Sequence, residues 1–136
     1  VTGCTAGTKT VGGISERTFC GSAKATVHDG SQTFSYAGGT CETTSAYVSV
    51  NIGTVVLGET SKPKPNYFGM DVGRIPGSTS KAASKDGSYP AAAMAFDFGG
   101  KGYFATSVTV ALTGNRTHGA FSGSGLTGKV SGTFTC

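Results

Sequence analysis

Charge is scarce in this chain: Asp, Glu, Lys and Arg make up 13% of its 136 residues, about half of the usual quarter. Almost no window carries apolar residues at i, i+3, i+4 and i+7, which excludes an architecture built on amphipathic helices. No apolar run approaches the ~20 residues of a membrane-spanning helix. The spacing C-x-x-C is missing, so zinc and redox readings start weak, and no G-x-S-x-G offers a hydrolase nucleophile. No signal peptide is visible, so an exported chain implies a leader that has been removed or that this sequence leaves out. The net charge is +4, and its Lys and Arg residues are scattered from Lys9 to Lys129. Nucleic acid would need them gathered on one stripe with interleaved aromatics, so no nucleic-acid partner is expected. The densest basic spot, Lys62-Pro63-Lys64-Pro65, reads as a solvated extended loop.

What is abundant points one way. Glycine occurs 23 times, Ser and Thr are frequent, and β-branched and aromatic types supply most of the apolar residues. That mixture suits short strands and tight turns. The expected class is all-β: one domain over residues 1–136, an antiparallel sandwich or partly open barrel built from hairpins, with one long irregular loop.

The stretch that organises the rest covers residues 40–57. Ala46, Val48, Val50 and Ile52 alternate there with Tyr47, Ser49 and Asn51, the period of a strand with one buried face. Upstream, residues 23–27 and 32–36 flank Asp29-Gly30, the dipeptide of a two-residue hairpin turn. That turn pairs Val27 with Gln32, Ala25 with Phe34 and Ala23 with Tyr36, and it puts the apolar side chains on one face. Residues 1–13 carry no firm periodicity. Residues 58–90 hold all four prolines and form the irregular region, with a short strand at 67–72 and room for one helical turn at 78–86. Residues 91–98 place Met94, Phe96 and Phe98 on one face, Gly99-Gly100-Lys101-Gly102 turns the chain, and residues 103–113 follow. A tight turn at Gly114-Asn115 sets Phe121 opposite Val108. Leu126, Val130, Phe134 and Cys136 share one parity of the last strand.

Four cysteines in a small, weakly charged chain read as two disulfides, and hence as a protein of an oxidising compartment. Cys4 and Cys20 bracket the N-terminal segment and could close a small loop. The alternative is a lipobox at Gly3-Cys4, with Cys4 acylated.

The literal motif matches favour bland explanations. Gly123-Ser124-Gly125-Leu126-Thr127-Gly128 fits G-x-G-x-x-G, but eight residues remain after it and they alternate like a strand, so turns or close packing explain the glycines. Ser78-Thr79-Ser80-Lys81 and Ser61-Lys62-Pro63-Lys64 fit S-x-x-K within a loop, away from the buried helix that a Ser–Lys pair needs. His28 and His118 are not spaced as ligands of one metal, and Asp97 has no evident partner carboxylate. Asn115-Arg116-Thr117 is a glycosylation sequon on a turn. No catalytic constellation, cofactor or metal is expected.

Three segments carry a family resemblance: Val27-His28-Asp29-Gly30, Gly39-Thr40-Cys41-Glu42-Thr43-Thr44 and Val50-Asn51-Ile52-Gly53. Together with the closing Val130-Ser131-Gly132-Thr133-Phe134-Thr135-Cys136, they resemble the mycobacterial nineteen-kilodalton lipoprotein antigen family over residues 24–53 and 114–136. The resemblance implies a β-rich, exported envelope protein, anchored through a lipidated N-terminal cysteine, recognised as an antigen and without established catalysis. It also implies a Cys41–Cys136 disulfide, which leaves Cys4 with Cys20. This chain differs in carrying Cys4 and Cys20 and a long middle segment.

The resulting expectation is a non-catalytic cell-envelope or secreted protein acting in display or recognition. Its partner would be a protein, glycan or lipid at the cell surface, with membrane contact only through an N-terminal lipid anchor. The expected recognition loop includes Lys62, Lys64, Tyr67, Phe68 and Tyr89. The alternative is a secreted binding module for a glycan or apolar small molecule, drawing on the aromatics Tyr67, Phe68, Tyr89, Phe96, Phe98, Tyr103 and Phe104.

Overall fold

A computed structural model describes residues 5–57, 65–125 and 128–136. Among them are eleven strands: β1 (Gly7–Val11), β2 (Ile14–Phe19), β3 (Ala23–Asp29), β4 (Gln32–Thr43), β5 (Tyr47–Leu57), β6 (Tyr67–Gly73), β7 (Gly87–Phe98), β8 (Lys101–Phe104), β9 (Thr106–Thr113), β10 (His118–Gly125) and β11 (Gly128–Thr135). No helix occurs among the described residues, so the one-turn helix expected at 78–86 is absent.

All pairings are antiparallel, and eight of the strands close on themselves in the order β5-β4-β3-β11-β10-β9-β7-β6, with β6 bonded back to β5. The expectation of a sandwich or partly open barrel is therefore corrected to a closed barrel. Closure satisfies backbone groups that the edges of an open sheet would leave unpaired. β1 and β2 extend from β5, and β8 pairs with β7.

The expected organising strand is present, with Val48, Val50 and Ile52 almost wholly buried. One edge of β5 pairs with β6 from Tyr47 to Gly53. Its other edge pairs first with β4 (Val48–Asn51) and then with β2 (Gly53–Leu57). The barrel interior is packed by Val27, Phe68, Phe96, Val110, Val130 and Phe134, each at most 1% exposed, with Phe34, Tyr36 and Phe121 around them. Rings meet there in offset and tilted pairs, such as Phe34 with Phe98 at 4.7 Å and Phe96 with Tyr103 at 5.3 Å between centroids.

Two hairpins keep the expected faces and change register. Asp29 pairs with Gln32 and Val27 with Phe34, so the connection is Gly30-Ser31 and not Asp29-Gly30. Gly30 takes φ 61° at the first central position, where a type II′ turn wants glycine. Phe121 likewise stands opposite Val110, not Val108, because residues 114–117 form a longer connection. Gly114, Asn115 and Arg116 all have positive φ there. The carboxylate of Asp86 accepts the N–H groups of Asn115 (3.1 Å) and Arg116 (2.7 Å), which holds that conformation.

The N-terminal segment, expected to lack periodicity, forms the β1–β2 hairpin around Gly12-Gly13. The expected strand at 103–113 is split at Ala105 into β8 and β9, both on one edge of β7. Cys41 and Cys136 are bonded, with Cα atoms 5.6 Å apart, and link β4 to the end of β11. No described cysteine is free, and Cys20 is disulfide-bonded. Cys4, expected as its partner or as a lipid anchor, lies outside the described residues.

Candidate functional site on the outer barrel face

Because even-numbered residues of β5 and β6 point inward, their odd-numbered residues project from the barrel. Register aligns these with outward residues of β4 and β2 in three rows. Glu42, Ser49 and Asp71 form one row, Thr40, Asn51 and Gly69 the next, and Phe19, Gly53 and Tyr67 the third. Two of the nine positions are glycines, and both shape the surface. Gly53 has φ 91°, a left-handed conformation in which a side chain would run into the Asn66 carbonyl. Gly69 leaves space that the Tyr67 ring occupies by lying flat across the strand.

The polar side chains on this face are joined head to tail. Tyr67 Oη donates to Asn51 Oδ1 at 2.6 Å, Asn51 Nδ2 donates to Ser49 Oγ at 3.3 Å, and Ser49 Oγ donates to Asp71 Oδ1 at 2.6 Å. A chain of this polarity strengthens each member, and it fixes three side chains that would otherwise rotate in solvent. Separately on the same face, Tyr47 Oη donates to Glu42 Oε1 at 2.8 Å. Phe19 lies against Tyr67 with ring centroids 6.3 Å apart, and the Arg17 guanidinium sits 4.8 Å above the Phe19 ring.

Burial raises the Tyr67 phenol from its ordinary value to about 12, with the Asp71 and Asp97 carboxylates adding to the effect and Arg17 opposing it. The Tyr47 phenol is also raised, first by its hydrogen bond to Glu42.

A groove of about 590 Å³ runs between this face and the β1–β2 hairpin, lined by Arg17, Phe19, Glu42, Ser49 and Asn51 among others. A second cleft of about 390 Å³ lies beyond Tyr67, between Val55 and Val56 on one side and Tyr103 and Phe104 on the other.

Of the described residues of the expected recognition loop, Tyr67 alone reaches this face. Phe68 and Tyr89 point into the barrel core, 0% and 3% exposed: Phe68 has the inward parity of β6, and a register shift in β7 between Ala91 and Ala93 turns Tyr89 inward along with Met94 and Phe96. Lys62 and Lys64 fall outside the described residues, as does the Ser61–Lys64 match. The other S-x-x-K match is spread over turn contacts: Ser78 Oγ accepts from Ser80 N, and Lys81 Nζ lies 5.3 Å over the Tyr89 ring. His28 Nδ1 lies 3.1 Å from Thr33 Oγ1 and His118 Nδ1 lies 3.0 Å from Thr117 Oγ1, each within its own hairpin. Among the described residues no three His, Cys, Asp or Glu side chains are grouped to hold a metal. The described part of the G-x-G-x-x-G match belongs to β10 and β11, where a side chain at Gly123 would collide with Val108 and the Thr106 carbonyl.

Arg17, Phe19, Glu42, Ser49, Asn51 and Asp71 had no motif to announce them. The available signal was the exposed parity of β5, Tyr47-x-Ser49-x-Asn51, together with Tyr67-x-Gly69. Compared with protein-family models, curated proteins and solved structures, the chain matches none.

Proposed function

We propose that this chain is a non-catalytic, exported recognition domain that works through the groove between the β1–β2 hairpin and the outer face of β4 and β5. One observation carries the reading. Side chains from separate strands are tied into a continuous hydrogen-bonded array on a face that solvent alone would not organise. The Cys41–Cys136 bridge favours an oxidising compartment. The resemblance over residues 24–53 and 114–136 favours the cell envelope, with display of the domain at a surface.

The test is binding of the labelled protein to isolated bacterial envelopes. Saturable binding that Arg17→Ala and Asn51→Ala each weaken supports the reading, and binding indifferent to both overturns it. A hydrolase screen covers the catalytic alternative. Turnover abolished by Ser78→Ala or Asp97→Asn would show an enzyme. A second reading, capture of an apolar small molecule, is favoured by the cleft between Val55, Val56 and Tyr103, beside which Phe104 remains 48% exposed.

A further inference from the structure

We infer that the groove between the β1–β2 hairpin and the outer face of β4 and β5 binds a neutral saccharide chain. This rests on the recognition reading and names its ligand class. The volume of about 590 Å³ falls within the range of about 300–1,000 Å³ typical of small-molecule sites. Its lining has the complement that a polyhydroxylated chain requires. A sugar hydroxyl both donates and accepts, so a matching wall must offer both functions at close spacing. Glu42 supplies carboxylate oxygens, one already engaged by Tyr47 and with acceptor capacity left, while Asp71 stands beside the groove and holds Ser49 in place. Asn51 supplies an amide, Ser49 and Thr40 supply hydroxyls, and Arg17 supplies a planar set of donors held over Phe19.

The wall is also ordered in advance. Weak polar ligands are held only when the wall does not have to be arranged on binding. The run from Tyr67 through Asn51 and Ser49 to Asp71 is arranged beforehand, and Tyr67 is braced by Phe19 and by its seat on Gly69.

Other ligand classes fit less well. A phosphate chain would meet the carboxylates of Glu42 and Asp71 on the same face as the single guanidinium of Arg17. A fatty acyl chain would cover hydroxyls, an amide and carboxylates without replacing their hydrogen bonds to water.

The experiment is a ¹⁵N-resolved titration of the intact protein with maltohexaose, cellohexaose and chitohexaose, with sodium decanoate as the apolar probe. The expected result is saturable shifts from at least one hexasaccharide, confined to amides around Arg17, Phe19, Glu42, Ser49 and Asn51. Arg17→Ala and Asn51→Ala should each weaken that binding about tenfold, while Ser122→Ala on β10 leaves it unchanged. Mild periodate oxidation of envelopes, which cleaves vicinal diols, should abolish their binding to the protein. If envelope binding needs Arg17 and Asn51 but survives periodate, and no hexasaccharide shifts the groove, the saccharide is overturned and recognition stands. If envelope binding ignores both substitutions, both readings fall.

Discussion

Tyr67 shows how one side chain joins packing to the site. Its ring covers Gly69 and abuts Phe19, and its hydroxyl begins the chain of hydrogen bonds that ends at Asp71. Tyr67→Phe keeps the ring and removes the first donor, which should cost about 0.5–1.5 kcal/mol at neutral pH. The phenol also predicts an alkaline signature. Its folded pKa, about 12, lies above the ordinary value of 10.0, so the folded protein holds the proton more tightly than the unfolded chain does. The stability contributed by this group is therefore fully present and constant below pH about 10, and it is lost as pH rises from there toward about 12. Tyr36 is shifted in the same direction, mainly by burial, and adds to the fall. Denaturant unfolding measured across that window should decline less steeply in Tyr67→Phe than in the wild type, and absorbance titration should lose one late-ionising tyrosine. An equal decline would show that Tyr67 is not protected.

Strand faces were legible from local pattern, and strand registers were not. Alternation in Ala23-x-Ala25-x-Val27 and Val48-x-Val50-x-Ile52 reports burial on one face, whatever the partner. Register depends on the length of the connection, and at residues 114–117 that length is set from outside the hairpin. Asp86 holds the backbone of Asn115 and Arg116, and the Arg116 guanidinium donates to the carbonyl oxygens of Thr44 and Ala83. Both misplaced registers are off by two residues, which returns the same side chains to the same face. For the same reason the groove was hidden. Its residues come from β1, β2, β4 and β5, and only the register of those strands brings them together. Arg116 thus ties three connections at one end of the barrel. Arg116→Met should remove its donors while keeping much of the stem, and leave two part-buried carbonyls short of a partner. A loss of about 2–3 kcal/mol is expected. The buried Nε has no hydrogen-bond partner among the described residues, so its removal returns a little of that. Chemical denaturation would read the loss, and a change under about 0.5 kcal/mol would show the clamp to be dispensable.

At the scale of the whole molecule, closure is the feature that hairpin reasoning could not reach. Neighbouring strands in sequence pair through turns, but β11 with β3 and β7 with β9 join distant parts of the chain, as does the Cys41–Cys136 bridge with a separation of 95. In the barrel β3 lies between β4 and β11, and its first paired residue is Ala23. The bridge therefore fastens β4 to the end of β11 where β3 begins, at the rim where Cys136 N also donates to the Thr117 carbonyl at 2.8 Å. Hydrogen bonds complete the barrel without help from sulfur, so removing the bridge should leave the fold and lower its stability. The double variant Cys41→Ala, Cys136→Ala should lose up to about 4–5 kcal/mol by the chain-entropy account. That account places the effect in the unfolded chain, and this can be read separately from the loss itself. A freed chain expands and exposes more surface, so the denaturant slope should rise as the midpoint falls, with amide shifts in the folded protein confined to the rim. A lower midpoint with an unchanged slope and shifts spreading into β5 would instead place the stabilisation in the native barrel.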